Sequence, residues 1–170
     1  MADVAEISGP PAVDQTGNLT IWWVATIADV LAPKAATEIG AGTSYRVTHS
    51  FTPDGWGLTG SQTKNKDERL ALKQALESLG TSEASLTLKY VDSNTAGSAA
   101  VVLVEGTSGY FVERRSVPQT TLAAAAQKVR VIGVTLGKQI PGPVDGTGKF
   151  TYTQEVAITG VVGLPVALAA

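Results

Sequence analysis

Cysteine is absent and histidine occurs once. The first fact excludes a disulfide scaffold, a thiolate zinc site and a cysteine nucleophile. The second excludes any mechanism that needs two imidazoles. Charge is scarce as well: 16% of residues are charged, against about 25% in ordinary soluble domains. A net charge of -2 and a pI of about 5.4 argue against a free-standing basic reader of nucleic acid. No run approaches the roughly 20 apolar residues of a membrane helix. The opening residues MADVAEISGPP lack an apolar core, so no secretory signal is expected. With a mean hydropathy of +0.12, the chain has too few ionic groups to cover its own exterior. Much of its surface is therefore expected to be buried against other chains.

What the chain does have is threonine (20) and valine (19), the residues of pleated, half-buried surfaces. Glycine (18) and proline (8) interrupt it at short intervals. Short apolar runs between turn signals predict a mainly β fold, a sandwich or barrel, as a single domain over 1–170. Residues 1–17 read as an extended N-terminal arm, with Gly9-Pro10-Pro11 barring helix. Strands are expected over 18–28, 43–52, 82–91, 110–116, 128–136 and 149–159. Pro53-Asp54-Gly55 reads as a turn, with 57–63 returning as a hairpin partner. Residues 138–148 read as a long flexible turn. Two segments compete for helix. Residues 66–79 have Leu72, Leu76 and Leu79 at helical spacing and Gly80 as a stop. Residues 95–105 follow Ser93-Asn94 as a cap.

Two features point to contacts between copies. Trp22 and Trp23 are adjacent on a strand, so they face opposite ways. One enters the core, and the other needs a second partner, for which a neighbouring subunit is the natural supplier. The tail, residues 160–170, carries no charged side chain, and left in water it would be an aggregation hazard. Its Val161, Val162, Leu164, Val166 and Leu168 are expected to pack on a partner. The mixed charge run from Lys64 to Glu77 adds Arg69 as a candidate for ion pairs between subunits.

Motifs of chemistry are weak. Gly55-Trp56-Gly57-Leu58-Thr59-Gly60 fits G-x-G-x-x-G, but no strand-then-helix context surrounds it, so turn glycines are the better reading. His49 has Tyr45, Val47 and Phe51 on its face and no acidic neighbour at strand spacing, which suits a packed or interfacial histidine better than a base. Arg114-Arg115 on opposite faces of one strand is a weak phosphate signal. No catalytic set, metal cluster or cofactor loop emerges, so neither an enzyme nor a cofactor is expected.

Several ordered segments carry a resemblance: Ile21-Trp22-Trp23-Val24, then Asp67-Glu68-Arg69-Leu70, Ser85 to Val91, Leu103 to Val112 and Lys128-Val129-Arg130-Val131. Ile158-Thr159-Gly160 before the tail completes the series. In this order and spacing the chain resembles the major tail, or tail tube, proteins of long non-contractile-tailed bacteriophages, especially those of actinobacteria. The resemblance implies a two-sheet β-sandwich with one flanking α-helix at 95–105 and N- and C-terminal arms. It implies hexameric rings stacked into a hollow tube in the virion tail, assembled in the host cytoplasm, with tape measure and tail terminator or distal tail proteins as partners. Genomic DNA would pass through the lumen without specific binding, no membrane being involved, and acidic and hydroxyl side chains would line it. A gene-transfer agent would share these traits. The rival from another class is a carbohydrate-binding or adhesion β-sandwich, which would need Trp22, Trp23 and Trp56 exposed. An enzyme built on His49 is the third reading.

Overall fold

The computed structural model describes residues 12–69, 73–144 and 148–170. The strands are β1 (Leu19–Val24), β2 (Tyr45–Arg46), β3 (Phe51–Asp67), β4 (Leu76–Val91), β5 (Ser108–Arg115), β6 (Lys128–Pro141), β7 (Thr151–Ile158) and β8 (Val166–Ala167). They form one antiparallel eight-stranded sheet in the order β2-β1-β5-β6-β7-β4-β3, with β8 on β6. The mainly β expectation holds. In place of two separate sheets, one continuous ladder curls over on itself, because β6 pairs with both β5 and β7.

The curl is visible in one contact. β3 and β5 stand four places apart, which in a flat sheet at about 4.8 Å per strand is roughly 19 Å. Yet the rings of Trp56 and Phe111 are 5.3 Å apart, edge to face. The sheet closes over a concave core of Ile21, Trp23, Leu86, Leu88, Tyr90, Phe111, Ile132 and Val134. Strand alternation puts Leu86, Leu88 and Tyr90 of β4 and Ile132 and Val134 of β6 inward.

Over 43–79 two expectations are corrected and the open choice at 66–79 falls to strand. The strand over 43–52 breaks after Arg46 into a short helical turn, Thr48–Ser50. There Val47 is fully buried and the Thr48 hydroxyl accepts from the Ile21 amide at 2.8 Å. Pro53-Asp54-Gly55 is no hairpin turn. It lies in a bulge of β3 between the Phe51–Tyr90 and Trp56–Leu88 pairs, and 57–63 continues the same strand against β4. Most of 66–79 belongs to a long two-stranded hairpin in which Lys66 opposes Glu77 and Asp67 opposes Leu76; residues 70–72 are outside the described set. Helical spacing loses here because Leu76 and Leu79 are both exposed, with no surface for a helix to pack on.

The expected helix over 95–105 shrinks to one turn, α1 (Ala99–Val102), which begins after Gly97 at φ 82°. Its first amide donates to the Ser50 hydroxyl at 3.0 Å. Gln154, fully buried, ties the region together. Its amide donates to the carbonyls of Leu103 (3.1 Å) and Gly137 (2.8 Å) and its oxygen accepts from the Tyr90 hydroxyl at 2.9 Å. Burial pushes the Tyr90 hydroxyl up to about 12. Gln154→Leu removes a donor from the Gly137 carbonyl and leaves the Leu103 carbonyl to Gln139 alone, so urea denaturation should show a loss of about 2 kcal/mol.

Candidate assembly surfaces

The outside of the curl has two halves that differ. Over β1, β5 and the start of β6 it is covered. A second cluster of Trp22, Val24, Val112 and Val129 lies there under Ile27, Ile39 and Leu168. Trp22 is only 3% exposed, and the guanidinium carbons of Arg114 and Arg46 lie 5.0 and 5.6 Å from its ring centre. The second partner that Trp22 needs is thus supplied by the chain itself, and Trp23 packs in the concave core against Phe111. Neither ring offers surface to another copy in this fold. The same burial removes the exposed tryptophans that a sugar-binding face would need; Trp56 is half-buried.

Arg114 is fully buried and organises the strap of residues 117–127. It donates to the carbonyls of Pro118 (3.2 Å), Thr121 (2.8 Å) and Leu122 (3.2 Å), to Gln127 Oε1 (2.7 Å) and to the Thr20 hydroxyl (3.2 Å). No carboxylate pairs with it among the described residues. Burial lowers its pKa, and Arg46 adds to the pull. Arg115, on the other face, pairs with the buried Glu113, which also holds Arg130 at 3.4 Å. The opposite faces of Arg114 and Arg115 are legible in the strand, but the closure of one face by the strap is not; the shared parity of Val112 and Arg114 is its only trace.

The tail is corrected in part. Its end is stitched to its own chain: Leu168 donates to Gln127, Ala169 to Pro33 and Ala35 to Ala169. Val166 pairs with Val129 and Leu168 is buried. Val162 packs on the concave core. Val161 and Leu164 stand free at 95% and 86% exposure. Arg69 is exposed and pairs with Asp67 at 2.9 Å. His49 is exposed rather than packed. Of the N-terminal arm, residues 1–11 lie outside the described residues and 12–17 are exposed.

The other half of the outside, over the end of β6, β7, β4 and β3, is bare. Its outward positions are short and polar: Thr59, Ser61 and Thr63 on β3, Glu83, Ser85 and Thr87 on β4, Thr151, Thr153 and Glu155 on β7. They bond to one another, Thr59 to Ser85 at 2.8 Å and Thr87 to Glu155 at 3.2 Å. Large apolar side chains occur only at its ends, Ile140 and Val91 at one and Leu76 at the other. Lys89 is held by Asp54 at 3.0 Å. Strand alternation sends Lys64, Lys66, Arg115 and Arg130 to the concave side. Carboxylates accompany them there, Glu77 beside Lys64 at 3.1 Å and Glu113 between the two arginines, so both faces carry both signs in pairs.

Among the described residues no group of three or more His, Asp or Glu side chains could hold a metal. No helix among them is long and apolar enough to cross a membrane. The G-x-G-x-x-G stretch lies inside β3, with no helix after it.

The chain belongs to the phage tail tube protein family, whose pattern matches residues 8–170. It is thus a structural component of a phage tail and resides in the virion. No curated protein matches it in sequence. Its fold is similar to a chain in the cryo-EM structure of the anti-feeding prophage baseplate, 6-fold symmetrised. That likeness has a TM-score of 0.57 at 12% identity and covers 89% of this chain and 94% of the other.

Proposed function

We propose that six copies close edge to edge into a ring, and that the rings stack into the tube of a long non-contractile tail. Genomic DNA passes through it into the host. The bare, hydroxyl-rich half of the outer face carries this reading. The bare face of β3, β4 and β7 is its lumen wall: short hydroxyls held to one another, carboxylates at Glu83 and Glu155, and a neutralised Lys89 give a polyanion nothing to grip. The sheet edge supports ring closure. Between the bulge and Lys64, residues 57–63 of edge strand β3 carry no charge and no proline, the usual devices that block pairing. The six-fold symmetry named for the similar baseplate supports the stoichiometry.

Tape measure, tail terminator and distal tail proteins are the partners such a tube meets, with assembly in the host cytoplasm. Actinobacteriophages are the source that the sequence resemblance favours. Val161, Leu164 and Arg69 are the contacts between copies that the fold leaves available. Electron microscopy of the purified protein should show hollow tubes of six-fold cross-section. In such tubes a Ser85→Cys thiol should react with a small maleimide and resist a polyethylene-glycol maleimide too large for the bore. Ready labelling by the large reagent counts against the lumen assignment.

A further inference from the structure

We infer that, within a single copy of the chain, residues 117–125 form a strained latch over Arg114, and that this latch and the C-terminal tail open and close as one unit. Among the described residues two non-glycine backbones have positive φ, Ser116 at 62° and Ala126 at 67°. They bracket the strap as a pair of hinges. Left-handed geometry is unfavourable for a residue with a Cβ and persists only where the surroundings enforce it. Ala126 ends a run of four alanines, whose own preference is right-handed.

What enforces the geometry is polar. No side chain of 117–127 is buried, and Ala123 gives the strap its contact with the apolar cluster beneath. The grip comes from the Arg114 guanidinium on the Pro118, Thr121 and Leu122 carbonyls and from Arg46, which donates to the Gln119 carbonyl. Against it stand the two hinges and a cation closed off from water. Arg114 is fully buried, its Nε has no hydrogen-bond partner, and Arg46 shares the Trp22 ring with it. Opening relaxes both hinges and returns the guanidinium to solvent. A segment held by so little apolar contact opens before the rest of its domain.

Gln127 and Ala126 join the latch to the tail. The Gln127 side-chain oxygen accepts from Arg114 at 2.7 Å, while its carbonyl accepts from the Leu168 amide at 2.9 Å. The amide of the hinge residue Ala126 donates to the Leu168 carbonyl at 2.9 Å. β8 then pairs with Lys128 and Val129, the residues that follow directly. Turning Ala126 out of the left-handed region swings its amide off Leu168, and a tail that lifts takes a partner from both Ala126 and Gln127.

Hydrogen exchange of the full chain, followed peptide by peptide by mass spectrometry, tests the coupling. Residues 117–127 and 166–170 should exchange with one opening constant, faster than β4 and β7. Ala126 is exposed, so Ala126→Val probes φ rather than space. It should raise exchange in both segments by the same factor, at least about tenfold, with β4 and β7 unchanged. Ala126→Asn, which tolerates the left-handed region, should exchange no faster than wild type in either. In the reverse direction, Leu168→Asp should raise exchange in 117–122, since coupling between two sites is reciprocal. A strap that speeds up in Ala126→Val while the tail does not overturns the proposal, as does a 117–122 segment indifferent to Leu168→Asp. Equal acceleration in β4 and β7 overturns it too, because the event is then global unfolding. Faster exchange with asparagine removes the hinge strain on which the latch depends.

Discussion

Arg114→Met is expected to lower the unfolding free energy by about 3 kcal/mol, the scale for removing a charged donor from several neutral acceptors. The guanidinium meets three strap carbonyls, Gln127 and Thr20, and its carbon sits 5.0 Å from the Trp22 ring centre. Methionine matches the length but donates nothing, so those acceptors lose their partner in a site closed to water. Lysine does little better, since one ammonium cannot reach a fan of acceptors set for a planar fork. Urea denaturation followed by Trp22 fluorescence reads the loss. Hydrogen exchange should place it in 117–127, with β4 and β7 staying protected. A change below about 1 kcal/mol would show that the strap holds without the cation.

Gly55→Val should cost about 3 kcal/mol or more. A Cβ at Gly55 would lie 1.9 Å from the Lys89 carbonyl oxygen and 2.8 Å from the Thr52 amide nitrogen. Both obstacles are main chain, so no rotamer relieves the clash and the bulge itself has to move. That bulge lets the Thr52 hydroxyl donate to the Lys89 carbonyl at 3.2 Å and sets Asp54 against Lys89. Overpacking a well-filled site costs typically 1–3 kcal/mol, and backbone obstacles lie at the upper end. Thermal unfolding compared with Gly60→Val checks it, since the nearest atom to a Cβ at Gly60 is 3.6 Å away. Equal melting points for the two variants would refute the steric argument.

The strands with clean alternation were legible because one face of each is committed to the core. Leu86, Leu88 and Tyr90 announce an inward face, as do Ile132, Val134 and Leu136. The segment 66–79 was ambiguous because its leucines follow a helical period while residues 76–79 pair with 64–67; cross-strand pairing is invisible to a helical period. Pro53-Asp54-Gly55 carried turn chemistry and was used for a bulge, another way to spend the same backbone freedom. Trp22 and the tail misled for a shared reason. Local hydrophobicity says that a group must be covered, not which chain covers it, and here the loop over 27–39, the strap and β8 do so. Arg114 was missed since an arginine at an apolar parity looks the same whether it reaches water or a ring of carbonyls. Hydroxyls and carboxylates on the bare face were readable as composition, but only the curl shows that they form one continuous surface.

The way the tail is sewn down has a practical outcome. Ala169 bonds to Pro33 and Ala35, over the covered half of the sheet and away from the hydroxyl wall. A peptide genetically appended after Ala170 would therefore begin its course on the covered half of the sheet. In the proposed tube, epitopes or enzymes fused there would be displayed without narrowing the channel.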